Sequence, residues 1–372
     1  MDIDMLNPAM DLAKSAALHL PGAASILHLI DDNVCIVAGT SKGEVHVIEG
    51  RESELVHVHV MKEHTAAIRG LAIDGNELYS ASEDGSVIAW DLRSCTVTRS
   101  YTHHGKAGLS AVCAKETLLA AGADDGTLLF WDPRSANLRA SFHDTHPEAV
   151  TQICFPESSN GAADWMISSS ADGFINVMDL KDGLDEDDAF RAALNSTPSV
   201  AQCGTYGPGQ AKLWALSQIE TLHLWDWCAA ADEQVPGGEG TFADDLEVRT
   251  SLAAAQLGRK GQPEPHALVG MHASEGSLML ASTSAEGDVA TFRVTEPEAP
   301  APGSSPAYAP AVNLKGGHKD VVRTMVWPGG WAQRYVTAGD DGVIVLWQIP
   351  SSVAAEAEPE SNPRSKKRLR RG

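Results

Sequence analysis

Small and apolar residues alternate with polar ones in short runs along most of the chain, and the runs come in pairs joined by turns. Residues 80–93 read SASEDGSVIAWDLR: a run of small residues to Ser82, an Asp84-Gly85 turn, and an alternating run to Trp90. Residues 120–134 read AAGADDGTLLFWDPR and have the same three parts. An Asp-Gly pair between two such runs predicts a β-hairpin, because glycine accepts the positive φ of tight hairpin turns. Aligned on Trp90, the chain holds seven copies. Gly43, Gly85, Gly126, Gly173, Gly287 and Gly342 stand five residues before Ile48, Trp90, Trp131, Met178, Phe292 and Trp347. In the remaining copy Glu220 takes the glycine position ahead of Trp225. A further strand precedes several hairpins, as at His64, Ile68 and Leu71. Each copy therefore has at least three strands, with a fourth in the connection to the next.

These residues resemble the WD-repeat family of β-propellers, whose copies carry a Gly-His pair, a turn Asp and a terminal Trp-Asp. The resemblance spans about residues 21–349. It is carried best by Trp90-Asp91, Trp131-Asp132, Trp225-Asp226 and Gly317-His318, while Glu63-His64 and Thr145-His146 keep only the histidine. Ile48-Glu49 and Phe292-Arg293 depart from the pattern, and His104 lies one residue out of register. The resemblance implies an all-β fold, a seven-bladed propeller over residues 21–350 with repeats ending near 49, 91, 132, 179, 226, 293 and 348. A four-stranded blade cannot bury both faces alone, so blades pack radially and leave only short edges. No fourth strand follows Trp347, so residues 1–20, and 16–20 in particular, are expected to supply the closing outer strand. Truncation before Pro21 should then lower the unfolding midpoint.

The resemblance also implies a buried hydrogen-bonded tetrad of His64, Ser80, Asp84 and Trp90, repeated as His318, Thr337, Asp341 and Trp347. Ser, His and Asp together invite a catalytic reading. A set that recurs blade after blade reads instead as architecture. The Gly39-to-Gly43 stretch matches a GxSxG nucleophile elbow, but that motif needs a strand-to-helix turn and here a strand continues. Asn195-Ser196-Thr197 matches a glycosylation sequon, which an intracellular protein would not use. No P-loop, dinucleotide fingerprint or metal-ligand spacing appears, so no enzyme activity, cofactor or metal is expected.

Three segments interrupt the period. Residues 181–190, KDGLDEDDAF, read as a solvated acidic loop; residues 229–265 are long, with a short helix or outer strand possible within them; residues 295–310 are rich in Pro and Ala and read as a mobile loop. Residues 351–372 read as a disordered tail.

Composition narrows the partners. The chain has 372 residues, 43% hydrophobic and 21% charged, and no apolar run long enough for a membrane helix. Its N-terminus opens with acids, unlike a secretory signal. The six cysteines form no CxxC pair and read as reduced core thiols. The net charge of −22 argues against a general nucleic-acid surface and favours basic protein partners through electrostatic steering. Against that background, Lys366, Lys367, Arg368, Arg370 and Arg371 form a basic cluster near the C-terminus. The cluster reads as a nuclear or nucleolar localisation signal for an import receptor, with cytoplasm as the alternative and weak RNA binding as a lesser reading.

Two consecutive copies end in WDxR, with Arg93 and Arg134. Such pairs are similar to the motif by which some WD-repeat proteins dock on the adaptor of cullin-four ubiquitin ligases. The alternative is that each arginine merely caps a turn. The overall expectation is a monomeric propeller acting as a non-catalytic protein-interaction scaffold.

Overall fold

The computed structural model describes residues 10–20, 22, 24–31, 35–51, 54–103, 105, 107–156, 165–196, 199–231, 241–247, 264–274, 277–296, 306–327 and 334–349. The strands form seven sheets. Blades 1 to 6 are four-stranded antiparallel meanders over residues 26–62, 68–102, 109–142, 150–195, 200–247 and 267–314, and residues 322–348 give three strands of blade 7. The first strand of each blade touches the first strand of the next, and the ring closes where Val322–Val326 meets Ile26–Asp31. The chain is thus a seven-bladed β-propeller, with its first strands around the centre.

Lys14–His19 pairs antiparallel with Val343–Gln348 and supplies the fourth strand of blade 7. Met10–Leu12 adds a fifth strand to blade 6, parallel to Ala307–Leu314. The expectation of one closing strand therefore misses this second one. Its chemistry is simple: Leu12 is buried between blades 6 and 7, and Asp11 between Met10 and Leu12 accepts a hydrogen bond from Asn313 Nδ2 at 2.7 Å. That bond, opposed by burial and aided by Lys315, holds the Asp11 carboxyl below its usual range.

Because strands alternate in direction, the turns fall on two faces. The upper face carries the turn between second and third strands and the connection to the next blade. The lower face carries the first-to-second and third-to-fourth turns; there Leu92 N–H donates to the Asn76 carbonyl at 3.1 Å. The upper turn glycines have two reasons to be glycine. Gly126 has φ of +87°, and a Cβ there would meet the His146 carbonyl oxygen at 2.0 Å, because the entry to blade 4 crosses over it. Gly43 lies in the same way beneath the entry to blade 2, so the GxSxG stretch is a hairpin turn. Glu220 adopts φ of +67° without that freedom. Its carboxylate accepts the Leu268 N–H at 3.3 Å and ties the turn to blade 6.

The core lies between blades. Trp90, Trp131, Trp225 and Trp347 are 2%, 2%, 2% and 0% exposed, each in a cluster that joins neighbouring sheets. Burying an indole of about 200 Å2 contributes on the order of 5 kcal/mol of transfer free energy before entropy is counted.

Two of the interrupting segments differ from expectation. The 181–190 connection is docked: Asp185 caps the short helix Glu186–Ala189, and Glu186 accepts the N–H of His143 and of Asp144, both at 2.9 Å, and the Thr145 hydroxyl. Leu184 and Ala189 turn inward against the blade 3–4 core, which a solvated loop would not do. Within 295–310, Ala307 onward belongs to the fourth strand of blade 6, because its backbone pairs with Val289–Thr295. Within 229–265, Thr241–Glu247 is the outer strand of blade 5. His104, Thr197 and the 351–372 tail, including Lys366, Lys367, Arg368, Arg370 and Arg371, lie outside the described residues.

Candidate functional site

The upper face brings the residues of both tetrads together. In blade 2, His64 Nδ1 lies 2.9 Å from Asp84 Oδ2, His64 Nε2 lies 2.8 Å from Ser80 Oγ, and the Trp90 indole N–H donates to Ser80 Oγ at 2.8 Å. In blade 7, His318 Nδ1 lies 3.2 Å from Asp341, Nε2 lies 2.8 Å from Thr337 Oγ1, and the Trp347 N–H donates to Thr337 at 2.9 Å. The aspartates also bind the chain entering the blade: Thr65 N–H donates to Asp84 at 2.9 Å and Lys319 N–H to Asp341 at 3.0 Å. Burial pushes the Asp84 carboxyl up, but hydrogen bonds from Ser86 and Thr65 and the nearby His64 outweigh it and hold it below its usual range.

A third set was not singled out in the sequence. His146 Nδ1 lies 2.9 Å from Asp172, and its Nε2 lies 2.9 Å from Ser168 Oγ. Met178 stands where the tryptophan would be, and Asn176 Nδ2 donates instead to the Thr145 carbonyl at 2.8 Å. The signal for it was His146 at the spacing of His64 from its following strand. Ser80, Ser168 and Thr337 are all 0% exposed, so their hydroxyls meet histidine and indole rather than a substrate. Ser82 lies outside the tetrad and holds the turn, donating to the Ala66 carbonyl at 3.1 Å.

The lower face holds the WDxR pair. Asp91 Oδ1 accepts the Arg93 N–H at 3.0 Å, and Asp132 Oδ1 accepts the Arg134 N–H at 2.8 Å. Each turn is closed by a residue two places later, Cys95 at φ +55° and Ala136 at φ +57°, whose N–H donates to the carbonyl of the same aspartate. The two turns are therefore copies in geometry as well as in sequence. Arg93 and Arg134 are exposed, and neither guanidinium makes a hydrogen bond or ion pair among the described residues. The blade 3 turn is further fixed from blade 2: Tyr101 OH donates to the Pro133 carbonyl at 2.7 Å, and Arg99 Nε to the Arg134 carbonyl at 2.9 Å.

A polar set without repeat symmetry lines a central cavity of about 490 Å3 between blades 5, 6, 7 and 1. His28 is half-buried there, and its desolvation together with the charge of Arg69 pushes its pKa down to about 4, so it is neutral near pH 7. His272 stacks on Trp327 with ring centroids 5.7 Å apart. The charged groups are paired: Asp31 with Arg334 at 3.1 Å and Arg323 with Asp340 at 2.6 Å. Sequence reading missed this set because its members come from the first strands of four different blades and their residue types do not repeat from blade to blade. All six cysteines are free, and no cluster of three or more metal-ligating side chains occurs among the described residues. Nor is any described helix long and apolar enough to cross a membrane.

Seven radial blades, histidine tetrads and paired Trp-Asp turns make a seven-bladed β-propeller that carries WD repeats. The family model of the WD domain, G-beta repeat, matches residues 55–91 and 95–132, which hold both WDxR turns up to their aspartates. The chain is similar to WD repeat-containing protein GTS1 of Arabidopsis thaliana, 29% identical over 286 residues, covering 73% of this chain and 66% of that protein. It is also similar to the WD repeat-containing protein 89 homolog of Dictyostelium discoideum, 22% identical over 346 residues and 88% of each. Among solved structures, one chain of a mitotic checkpoint complex superposes with a TM-score of 0.65 at 13% identity, covering 94% of both chains. That likeness concerns the fold.

Proposed function

We propose that the protein is a non-catalytic interaction scaffold that works in the nucleus or nucleolus and docks a partner through its lower face. The observation that carries this reading is the WDxR pair: two turns of the same backbone geometry on adjacent blades, each presenting an exposed arginine whose guanidinium makes no hydrogen bond or ion pair among the described residues. Two such forks suit a carboxylate- or carbonyl-rich protein surface. In the Ser-His-Asp sets, by contrast, the hydroxyl and histidine members are buried and engaged in the fold. Affinity capture from cells of wild type against Arg93→Ala with Arg134→Ala tests the reading. Loss of specific partners from the double variant supports it, and an identical partner set refutes it.

The same pair favours a more specific reading, docking on the adaptor of a cullin-four ubiquitin ligase as a substrate receptor. Recovery of that adaptor in the capture decides it; equal recovery with the double variant removes it. The nuclear assignment rests on the charge contrast between the basic residues 366–371 and a chain of net −22. Deleting residues 366–372 from a fluorescent fusion should move it toward the cytoplasm, and unaltered nuclear enrichment would count against the assignment. The acidic body suits basic partners, such as histones or ribosomal proteins, by steering their approach.

A further inference from the structure

Three of the six cysteines lie on the first strands of consecutive blades: Cys113 on Leu109–Lys115, Cys154 on Val150–Cys154 and Cys203 on Val200–Tyr206. Side chains alternate along a strand, so each thiol is turned toward one seam between blades. Cys113 packs against the core between blades 3 and 4. Cys154 and Cys203 enter the core between blades 4 and 5 from its two sides. The strands that carry them are neighbours there, and the Cys203 N–H donates to Gln152 Oε1 across the seam at 3.0 Å. The two thiols are free, and they meet in a shared hydrogen bond.

Their surroundings make the two sulfurs unlike. The hydrogen bond from the Cys154 thiol lowers the Cys203 pKa; burial opposes that, a hydrogen bond from Ser169 aids it, and the net direction is down. Cys154, the donor in the pair, is raised. Burial pushes the Cys113 thiol up as well, to about 11. Cys203 is therefore set as the nucleophile, and Cys154 keeps its proton. Cys203 is 0% exposed but Cys154 is half-buried, so a molecule as small as hydrogen peroxide reaches the pair from the Cys154 side.

We propose that Cys154 and Cys203 are a redox-sensitive pair, which hydrogen peroxide converts to a disulfide that staples blade 4 to blade 5. The Cys203 thiolate attacks one peroxide oxygen: the S–O bond forms, the O–O bond breaks, and the departing hydroxide takes up a proton as water. The Cys154 sulfur then attacks the Cys203 sulfenic acid: the S–S bond forms, the S–O bond breaks, and hydroxide leaves with the Cys154 proton as a second water. Two thiols and one peroxide give one disulfide and two waters. The bond ties two inner strands of the ring and restricts the unfolded chain, so the oxidised protein unfolds at a higher temperature. The inference goes beyond the scaffold reading and does not depend on it.

The test treats the folded full chain, freed of reductant, with a small excess of hydrogen peroxide. Thiols counted in denaturant should fall from six to four and return to six with dithiothreitol. Trypsin without reductant releases Cys154 within residues 140–181 and Cys203 within residues 192–212, and mass spectrometry should find these two peptides joined, two hydrogens lighter than their sum. The joined peptide should be absent from Cys154→Ala and Cys203→Ala and present in Cys95→Ala and Cys228→Ala. Ser169→Ala should slow the loss of thiols without changing the product; an unchanged rate overturns Cys203 as the attacking sulfur. Mapping of wild type decides the pair even where a core variant fails to fold. A count that stays at six, a loss that falls on any other pair, Cys113 with Cys154 included, or oxidation of Cys203 without joining overturns the proposal.

Discussion

Blade 2 uses polar residues in opposite ways on its two faces. Above, His64, Ser80, Asp84 and Trp90 consume one another's hydrogen-bonding capacity, and Ser80 is 0% exposed. Below, Asp91 spends its carboxylate on the Arg93 N–H and the Ser94 hydroxyl, so the turn is held by the aspartate and the arginine side chain is left over. The difference separates fold from function without reference to catalysis. A polar group whose every partner is internal has a structural job; one whose backbone is fixed and whose charge is unspent is available to another molecule.

The largest expected break of that contrast is Asp84→Ala. It strips His64 Nδ1, the Thr65 N–H and the Ser86 hydroxyl of their acceptor and should cost about 1–3 kcal/mol, seen by denaturant unfolding. Next is pH. Burial holds His146 below its usual 6.5 although Asp172 pulls the other way, so the upper face folds around a neutral ring. A folded value below the unfolded one means that its stability is complete above pH 6.5 and is lost as pH falls through the folded value. On the lower face, the Arg93 N–H and Ser94 hold the Asp91 carboxyl below its usual 3.8, so its contribution is lost only below that pH. Unfolding midpoints across pH should show His146→Gln flattening the limb just below 6.5, and Asp91→Asn changing only the most acid limb.

Smaller still is Ala136→Gly. An alanine at φ +57° carries strain that glycine lacks, so the variant should gain about 1 kcal/mol or less in thermal unfolding, without altering binding. The smallest effect on stability belongs to Arg93→Ala with Arg134→Ala. Exposed and without an ion pair among the described residues, the two should leave unfolding within about 0.5 kcal/mol of wild type while changing the captured partners. A large loss of stability there would erase the distinction between the faces.

Much of this was written locally. The Asp-Gly turns, the five-residue step to Trp90 or Trp347 and the alternation of each run follow from period-two side-chain geometry and from glycine's tolerance of positive φ, so hairpins, repeat number and blade order are properties of the sequence. Both tetrads could be named in advance from the resemblance to WD-repeat proteins, because the hydroxyl residue, the aspartate and the tryptophan recur at matching steps while the histidine precedes them at a variable distance. Even the WDxR turns are local, five residues closed by one aspartate.

What needed the assembled ring were contacts between segments far apart in the chain. Met10–Leu12 has no meaning until blade 6 offers an open edge and Asn313 offers a partner for Asp11. The 181–190 connection reads as solvated until blade 3 presents the backbone N–H groups that Glu186 satisfies. The central cavity with His28 and His272 is enclosed by the first strands of four blades, and the side chains that line it do not repeat from blade to blade, so no periodic signal marks it. Sequence fixes what repeats within one hairpin, where a few neighbouring dihedrals decide the outcome. The surfaces that could meet a partner are set by closure, because only the packed ring decides which side chains are left unspent.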